Sequence, residues 1–305
     1  MQFKFRWMLL GLLAVAASSN AQDAPATDVD AQVQSIVSSL HWRDGQISVP
    51  KAKATFRLGE DFHYLEAADA RKVLEELWGN PPDDSVLGLV VPKSHDLSED
   101  GSWAVVVSYS DDGYVSDSEA AGIDYDEVLA DMKDGVKEEN EARKEGGFQT
   151  VQLNGWATAP RYDAANKKLY WAKDLQFEGE PAHTLNYDIR VLGRSGYLSL
   201  NAVADMDSMG EVQGDMQKLL PMVEFDPGAR YADFNDSTDK VAAYGIAALV
   251  GGGLAAKTGL LAKLGVLLLG LKKLLIPIGL VLVAFGKKII GFFGRDKGDR
   301  NRTVS

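Results

Sequence analysis

Seven carboxylates, Asp111, Asp112, Asp117, Glu119, Asp124, Asp126 and Glu127, fall within 17 residues, beside the turn sequence Ser110-Asp111-Asp112-Gly113. Hard cations such as calcium take six to eight oxygen ligands, and a carboxylate-dense loop can supply them. Asp111, Asp112, Asp117, Asp124 and Asp126 are therefore the residues that could hold a metal. Their spacing departs from the twelve-residue helix-loop-helix calcium loop, and Asp124 is equally well placed to cap a following helix. A solvated acidic loop with a helix cap is the reading the sequence favours.

Other chemistry has weaker footing. The four histidines, His41, His63, His95 and His183, lack the His-Glu-x-x-His spacing of a zinc helix. The absence of cysteine excludes disulfides, thiolate catalysis and zinc–thiolate sites. No Gly-x-Ser-x-Gly elbow or phosphate-binding loop occurs, and Ser195 in Gly193-Arg194-Ser195-Gly196 reads as a turn serine. No cofactor is expected. Trp156, Tyr162, Tyr170, Trp171 and Tyr187 could line a ligand groove but in adjacent strands more often form core. Arg190 and Arg194 nearby could bind an anion or pair with neighbouring acids.

The elements that must position these residues follow from periodicity. Apolar residues Ala68, Ala70, Val73, Leu74, Leu77 and Trp78 share one helical stripe that stops at Gly79, ahead of Asn80-Pro81-Pro82. A short helix is expected over Val33–Leu40, a long one over Tyr125–Lys144 ended by Gly146-Gly147, and a last amphipathic one over Met209–Val223. Short strands are expected at Gln46–Val49, Ala54–Leu58, Val86–Pro92 and Ser102–Tyr109. Four more, Val151–Thr158, Leu169–Phe177, Leu185–Leu192 and Tyr197–Ala204, make an antiparallel meander. In the third, Leu185, Tyr187, Ile189 and Val191 share one face, and Asn186, Asp188 and Arg190 the other, which is expected to be wet. The fold class is α+β: an antiparallel sheet meander covered by helices, in one domain of about 200 residues, followed by a C-terminal transmembrane helix.

Charge and hydropathy divide the chain. Residues 1–21 hold Lys4, Arg6 and the apolar run Met8–Ala17, with Ser19 and Ala21 before a cut ahead of Gln22, the pattern of a secretory signal peptide; an uncleaved anchor is the alternative. Residues 22–30 read as a flexible leader. Val241–Ala262 is 22 residues long with Lys257 as its only charge, the length of a membrane span. Residues 241–305 carry ten basic and two acidic residues; subtracting these and the first 21 residues from the totals of 32 and 44 leaves 22–240 with 20 basic against 42 acidic. So acidic a domain repels phosphate backbones, making nucleic acid an unfavourable partner, and the basic tail at 263–305 suits the cytoplasmic side of an anionic membrane.

Within the tail, Leu264–Phe293 is also apolar, but as a second span it would bury Lys272 and Lys273 at about 2.5–3.5 kcal/mol each, so an interfacial helix broken near Pro277 is preferred. A hairpin or a span shifted to 250–271 stays open. In the span, Ala243, Ala247, Gly251, Ala255 and Gly259 recur every four residues, a strip that favours self-association or packing on a partner in the envelope; incidental recurrence of small residues is the alternative.

Tyr109–Val115 (YSDDGYV), Gly155–Asp163 (GWATAPRYD), Leu169–Lys173 (LYWAK), Asn186–Arg194 (NYDIRVLGR) with Leu198–Val203 (LSLNAV), and Tyr231–Gly245 (YADFNDSTDKVAAYG) together resemble a bacterial family of membrane-anchored proteins of unknown function. The resemblance spans about Trp42 to Leu271. It implies an exported domain with a C-terminal anchor and no particular activity. The expected protein sits in the bacterial inner membrane, with domain 22–240 in the periplasm and the C-terminus in the cytoplasm. The favoured role is non-catalytic binding of a partner or ligand. The alternatives are a glycan-active hydrolase with paired carboxylates or a cation-binding protein.

Overall fold

The computed structural model describes residues 26–251, except 81, 100 and 146–148. The expected signal peptide at 1–21, the tail at 263–305 and the part of the span beyond 251 lie outside the described residues.

Strand alternation builds a seven-stranded antiparallel sheet. Its order is β3 (Phe62–Glu66), β4 (Val86–Pro92), β5 (Val105–Ser110), β9 (Tyr197–Asp205), β8 (His183–Leu192), β7 (Lys168–Phe177) and β6 (Val151–Asp163). The expected meander is the β6-β7-β8-β9 half. Edge strand β6 runs past the expected Thr158 to Asp163, through Pro160. Register shifts between Leu153 and Gly155, Trp156 and Thr158, and Thr158 and Arg161 let the edge accept residues that a central strand would not. A smaller sheet joins β1 (Gln46–Val49), β2 (Ala54–Arg57) and β10 (Val223–Phe225).

One face of the large sheet packs against this small sheet and helix α4 (Met209–Leu219). Phe56, Tyr64, Tyr187, Leu198, Leu200, Val212, Met216 and Phe225 form that core. Full burial of such side chains stabilises by about 1.5–3 kcal/mol each.

The second face carries two separate apolar covers. Over β3–β5 lies the expected stripe, split into α2 (Ala67–Arg71) and a π-helical turn (Lys72–Leu77), with Val73 and Leu74 packed on Leu89, Val91 and Val106. Over β6–β7 lie α3 (Tyr125–Glu145) and α5 (Ile246–Val250), where Val128, Met132, Ile246 and Leu249 meet Leu153, Leu169 and Trp171. Trp171 thus lies under a helix while its neighbour Tyr170 packs on the opposite core, as alternation requires. The first helix, α1, spans Ala26–Ser38, so it takes in residues expected to be a loose leader.

Two expectations are corrected. The face of β8 expected to be wet is covered, with Asn186 and Asp188 buried. The span expected from residue 241 does not begin there: Val241 pairs with Tyr114 in an isolated bridge, Ala242 is buried in the domain, and the helix starts only at Ile246. Among the described residues no helix is long and apolar enough to cross a membrane. Residues 252–262 of the expected span lie outside them.

Candidate functional site

The turn after β5 places the acidic loop. Gly113 has φ +114°, and a Cβ built there would lie 2.7 Å from the Lys240 carbonyl oxygen and 2.9 Å from the Ala242 nitrogen. Only glycine admits both the dihedral and the approach. The chain can then run beside residues 240–242, the Tyr114 N–H donating to the Lys240 carbonyl (2.8 Å) and the Ala242 N–H to the Tyr114 carbonyl (2.9 Å).

The five candidate ligands are dispersed by this geometry. Asp111 is exposed. Asp112 accepts from the hydroxyls of Ser110 (2.7 Å) and Tyr244. Asp117 accepts from Lys167 Nζ (2.6 Å) and from the hydroxyls of Tyr162 (2.7 Å) and Tyr231 (3.0 Å). Asp124 caps α3, taking the N–H groups of Asp126 (3.0 Å) and Glu127 (3.2 Å), and Asp126 is exposed in the first helical turn. Among the described residues no group of three or more His, Asp or Glu is gathered as a metal would need. The histidines are dispersed too, each against one carboxylate: His41 with Asp69, His63 with Asp44, His95 with Glu211, and His183 with Asp174.

What the loop builds is a clamp. Tyr114 stacks on Phe234 (3.9 Å between centroids) and leans on Tyr231 (4.4 Å), while Lys167 Nζ sits 4.9 Å above the Tyr231 ring. Lys167 holds φ +56°, a left-handed conformation set by the β6–β7 hairpin. Arg194 grips Asp239 with two nitrogens, at 2.7 and 2.9 Å. Burial opposes ionisation of Asp117, but Lys167 and the two tyrosine hydroxyls outweigh it and hold its carboxyl below the usual range. Burial, the largest cause, together with neighbouring carboxylates and hydroxyls, pushes Tyr162, Tyr231 and Tyr244 above the ordinary tyrosine range. The neutral hydroxyls of Tyr162 and Tyr231 therefore donate to the ionised Asp117 carboxylate, a strong form of hydrogen bond.

The strip of small residues is placed unevenly. Ala243 is exposed and precedes the helix, Ala247 lies within α5, and Gly251 closes it. The clamp on residues 240–244 keeps Ala243 off the helical face of Ala247. Ala255 and Gly259 lie outside the described residues.

A second polar cluster lies on the covered face of the large sheet, between the two apolar covers. Asp188, 2% exposed, meets Lys173 Nζ (3.2 Å), Arg190 Nη1 (3.0 Å) and Asn201 Nδ2 (2.9 Å). Burial works against its ionised form, but Lys173, Arg190 and Asn201 together hold its pKa below normal. Glu139, reaching in from α3, is raised by burial against the opposing pull of Arg143 and Lys173. Arg190 also lies 5.1 Å from the Trp171 ring centre. Of the two arginines marked from sequence, each pairs with an acid: Arg190 with Asp188, Arg194 with Asp239. Lys167, Tyr231, Tyr244 and Asn201 stand out by no local spacing, because their partners are remote; Tyr231, Tyr244 and Asn201 do fall in the stretches that carry the family resemblance. Tyr244 and Asp112 are 132 positions apart.

The chain belongs to the family described as protein of unknown function DUF2167, whose profile matches residues 41–286. A search of curated proteins found no match. Among solved structures it is similar to cyanobacterial PsbP from Synechocystis sp. PCC 6803, at 13% identity and TM-score 0.35, over 61% of this chain and 92% of that one. It is also similar to the Saccharomyces cerevisiae Ran-binding protein Mog1p, at 9% identity and TM-score 0.31, over 61% and 96%. Likenesses at this level carry nothing over to this chain.

Proposed function

We propose that this member of the DUF2167 family is a membrane-anchored envelope protein whose exported domain binds a partner or small ligand without catalysing a reaction. The observation that carries the reading is the clamp on residues 231–244. Tyr114, Asp112, Asp117 and Arg194 tie this segment to the domain through stacked rings, two backbone hydrogen bonds and a bidentate ion pair. The chain is therefore held against the domain through α5, and the sequence's apolar and basic C-terminal stretch continues from there. A tether that begins at a fixed point removes the extra reach of a loose linker, which suits recognition close to a surface. The loop carboxylates support a structural role, since Asp112, Asp117 and Asp124 each already serve hydroxyl, ammonium or backbone donors.

The test is fractionation of cells producing the full chain or a chain ending at residue 250. The full chain is expected in membranes after an alkaline carbonate wash, with its domain digested by protease added to spheroplasts, and the shortened chain in the soluble periplasmic fraction. Release of the full chain by carbonate, or protection of the domain from external protease, refutes the reading.

A further inference from the structure

The strip of polar side chains between the two helical covers is more than a satisfied ion pair. In register across three strands lie Arg190 on β8, Ser199 on β9 and Ser108 on β5, so the three side chains form one row on one face with Ser199 beside each of the other two. Side chains so paired stand roughly 4.5–5.5 Å apart at Cβ. Both serines are half-buried and, among the described residues, neither hydroxyl makes a hydrogen bond. Arg190 spends only Nη1, on Asp188 (3.0 Å) and the Ile189 carbonyl (3.1 Å), leaving Nε and Nη2 without hydrogen bonds among the described residues. It shares Asp188 with Lys173, and Glu139 on α3 also acts on that lysine.

Two deeper atoms on the same face are orphaned. Asn186, 5% exposed, donates from Nδ2 to Asn201 (3.4 Å), but among the described residues its Oδ1 has no partner, and Trp171, 1% exposed, has none for Nε1. Buried polar atoms left unpaired cost about 1–3 kcal/mol each. The Trp171 ring is 5.1 Å from the Arg190 guanidinium, and an orphaned buried donor beside an arginine with an open edge and two idle hydroxyls is uncommon for a surface that only packs.

We propose that this strip is a binding site for a small organic carboxylate, received by the open edge of Arg190 and the hydroxyls of Ser199 and Ser108. A guanidinium edge presents parallel N–H groups that match the two oxygens of a carboxylate, and serine hydroxyls complete the acceptor's lone pairs. Single charge is favoured over double: Asp188 stands within the site, and residues 22–240 carry 22 more acidic than basic groups. Both repel a phosphate dianion more than a monocarboxylate. The proposal supplies a ligand class for the binding role above and rests on that reading, but the two can fail separately, because membrane retention does not depend on this strip.

The experiment is thermal unfolding of the full chain in detergent, titrated with sodium acetate, pyruvate or benzoate, against sodium chloride at equal ionic strength and sodium phosphate. A saturable rise in the unfolding midpoint is expected with at least one carboxylate. In Ser108→Ala/Ser199→Ala, which removes two hydroxyls without leaving a charge unpaired, the half-saturating concentration should rise about tenfold. In Arg190→Lys, which keeps the charge and loses the fork, it should rise further. No saturable response to any carboxylate overturns the proposal. So does an unchanged response in the double-serine variant, or stabilisation by phosphate at lower concentration than by every carboxylate.

Discussion

Gly113→Ala should unlock residues 240–244, the segment that leads into α5, while leaving the two sheets folded. Alanine at φ +114° is strained by about 1–3 kcal/mol. Its Cβ would also stand 2.7 Å from the Lys240 carbonyl oxygen, so the neighbouring segment must move. That movement breaks the hydrogen bonds of Tyr114 with Lys240 and Ala242, each worth about 1 kcal/mol net. The combined effect is about 3–5 kcal/mol. The cheapest response is local, since residues 240–244 can peel away without disturbing β5 or β9. A shift of about 3 kcal/mol raises the open fraction roughly a hundredfold. Trypsin cleavage after Lys240, followed by mass spectrometry under native conditions, reads that opening directly. Gly122→Ala is the control, because a Cβ there meets nothing within 4 Å. If Gly113→Ala leaves the cleavage rate at Lys240 within twofold of the unaltered protein, the clamp does not hold this segment and the argument for a fixed exit point fails.

Asp188→Ala should destabilise the domain by about 3–5 kcal/mol in urea unfolding, because Lys173, Arg190 and the Asn201 amide lose a shared buried acceptor. Asp124→Ala should cost about 1 kcal/mol and shorten α3, measured by helical circular dichroism, since the N–H groups of Asp126 and Glu127 lose their cap. Alkaline stability should fall in a defined window. Burial pushes Tyr187 up to about 12 in the folded chain, against about 10 unfolded, so its contribution is fully present below pH 10 and disappears between pH 10 and 12. Tyr162, Tyr231 and Tyr244 act in the same direction. Chemical denaturation at intervals from pH 8 to 12 checks the sign, and stability that rises over this range contradicts it. At the acid end, Asp117 and Asp188 are depressed in the folded chain, so their contribution is present above about pH 4 and fades as pH falls below it.

Much of the architecture can be read from local pattern. The meander is legible because period-two alternation and turn residues recur from Val151 to Ala204, and the α3 boundary because Asp124 precedes a 3.6-residue repeat. The edge strand β3 goes unnoticed because Phe62–Glu66 is short and runs directly into α2. The split of the stripe after Arg71 into an α and a π turn has no sequence marker of the kind periodicity detects.

The acidic loop shows where local reading ends. Composition alone establishes that Asp111 to Glu127 is dense in carboxylates, and a dense loop in isolation has only solvent or a cation to satisfy it. Which of those charges are spoken for depends on groups brought in from far along the chain: Tyr231 and Lys167 for Asp117, Tyr244 for Asp112. The same holds at the other end of the domain. Hydropathy by itself marks residues 241–250 as apolar, and apolar residues satisfy a membrane and a protein core equally well. Only the fold, by presenting Tyr114 and the Val128–Met132 face of α3, assigns Ala242, Ile246 and Leu249 to the core. The sequence determines the alternation, the caps and the charge asymmetry because these depend on neighbours within a few residues. Tertiary structure alone decides which polar groups are neutralised, because that depends on contacts spanning up to 171 positions, which no local spacing encodes.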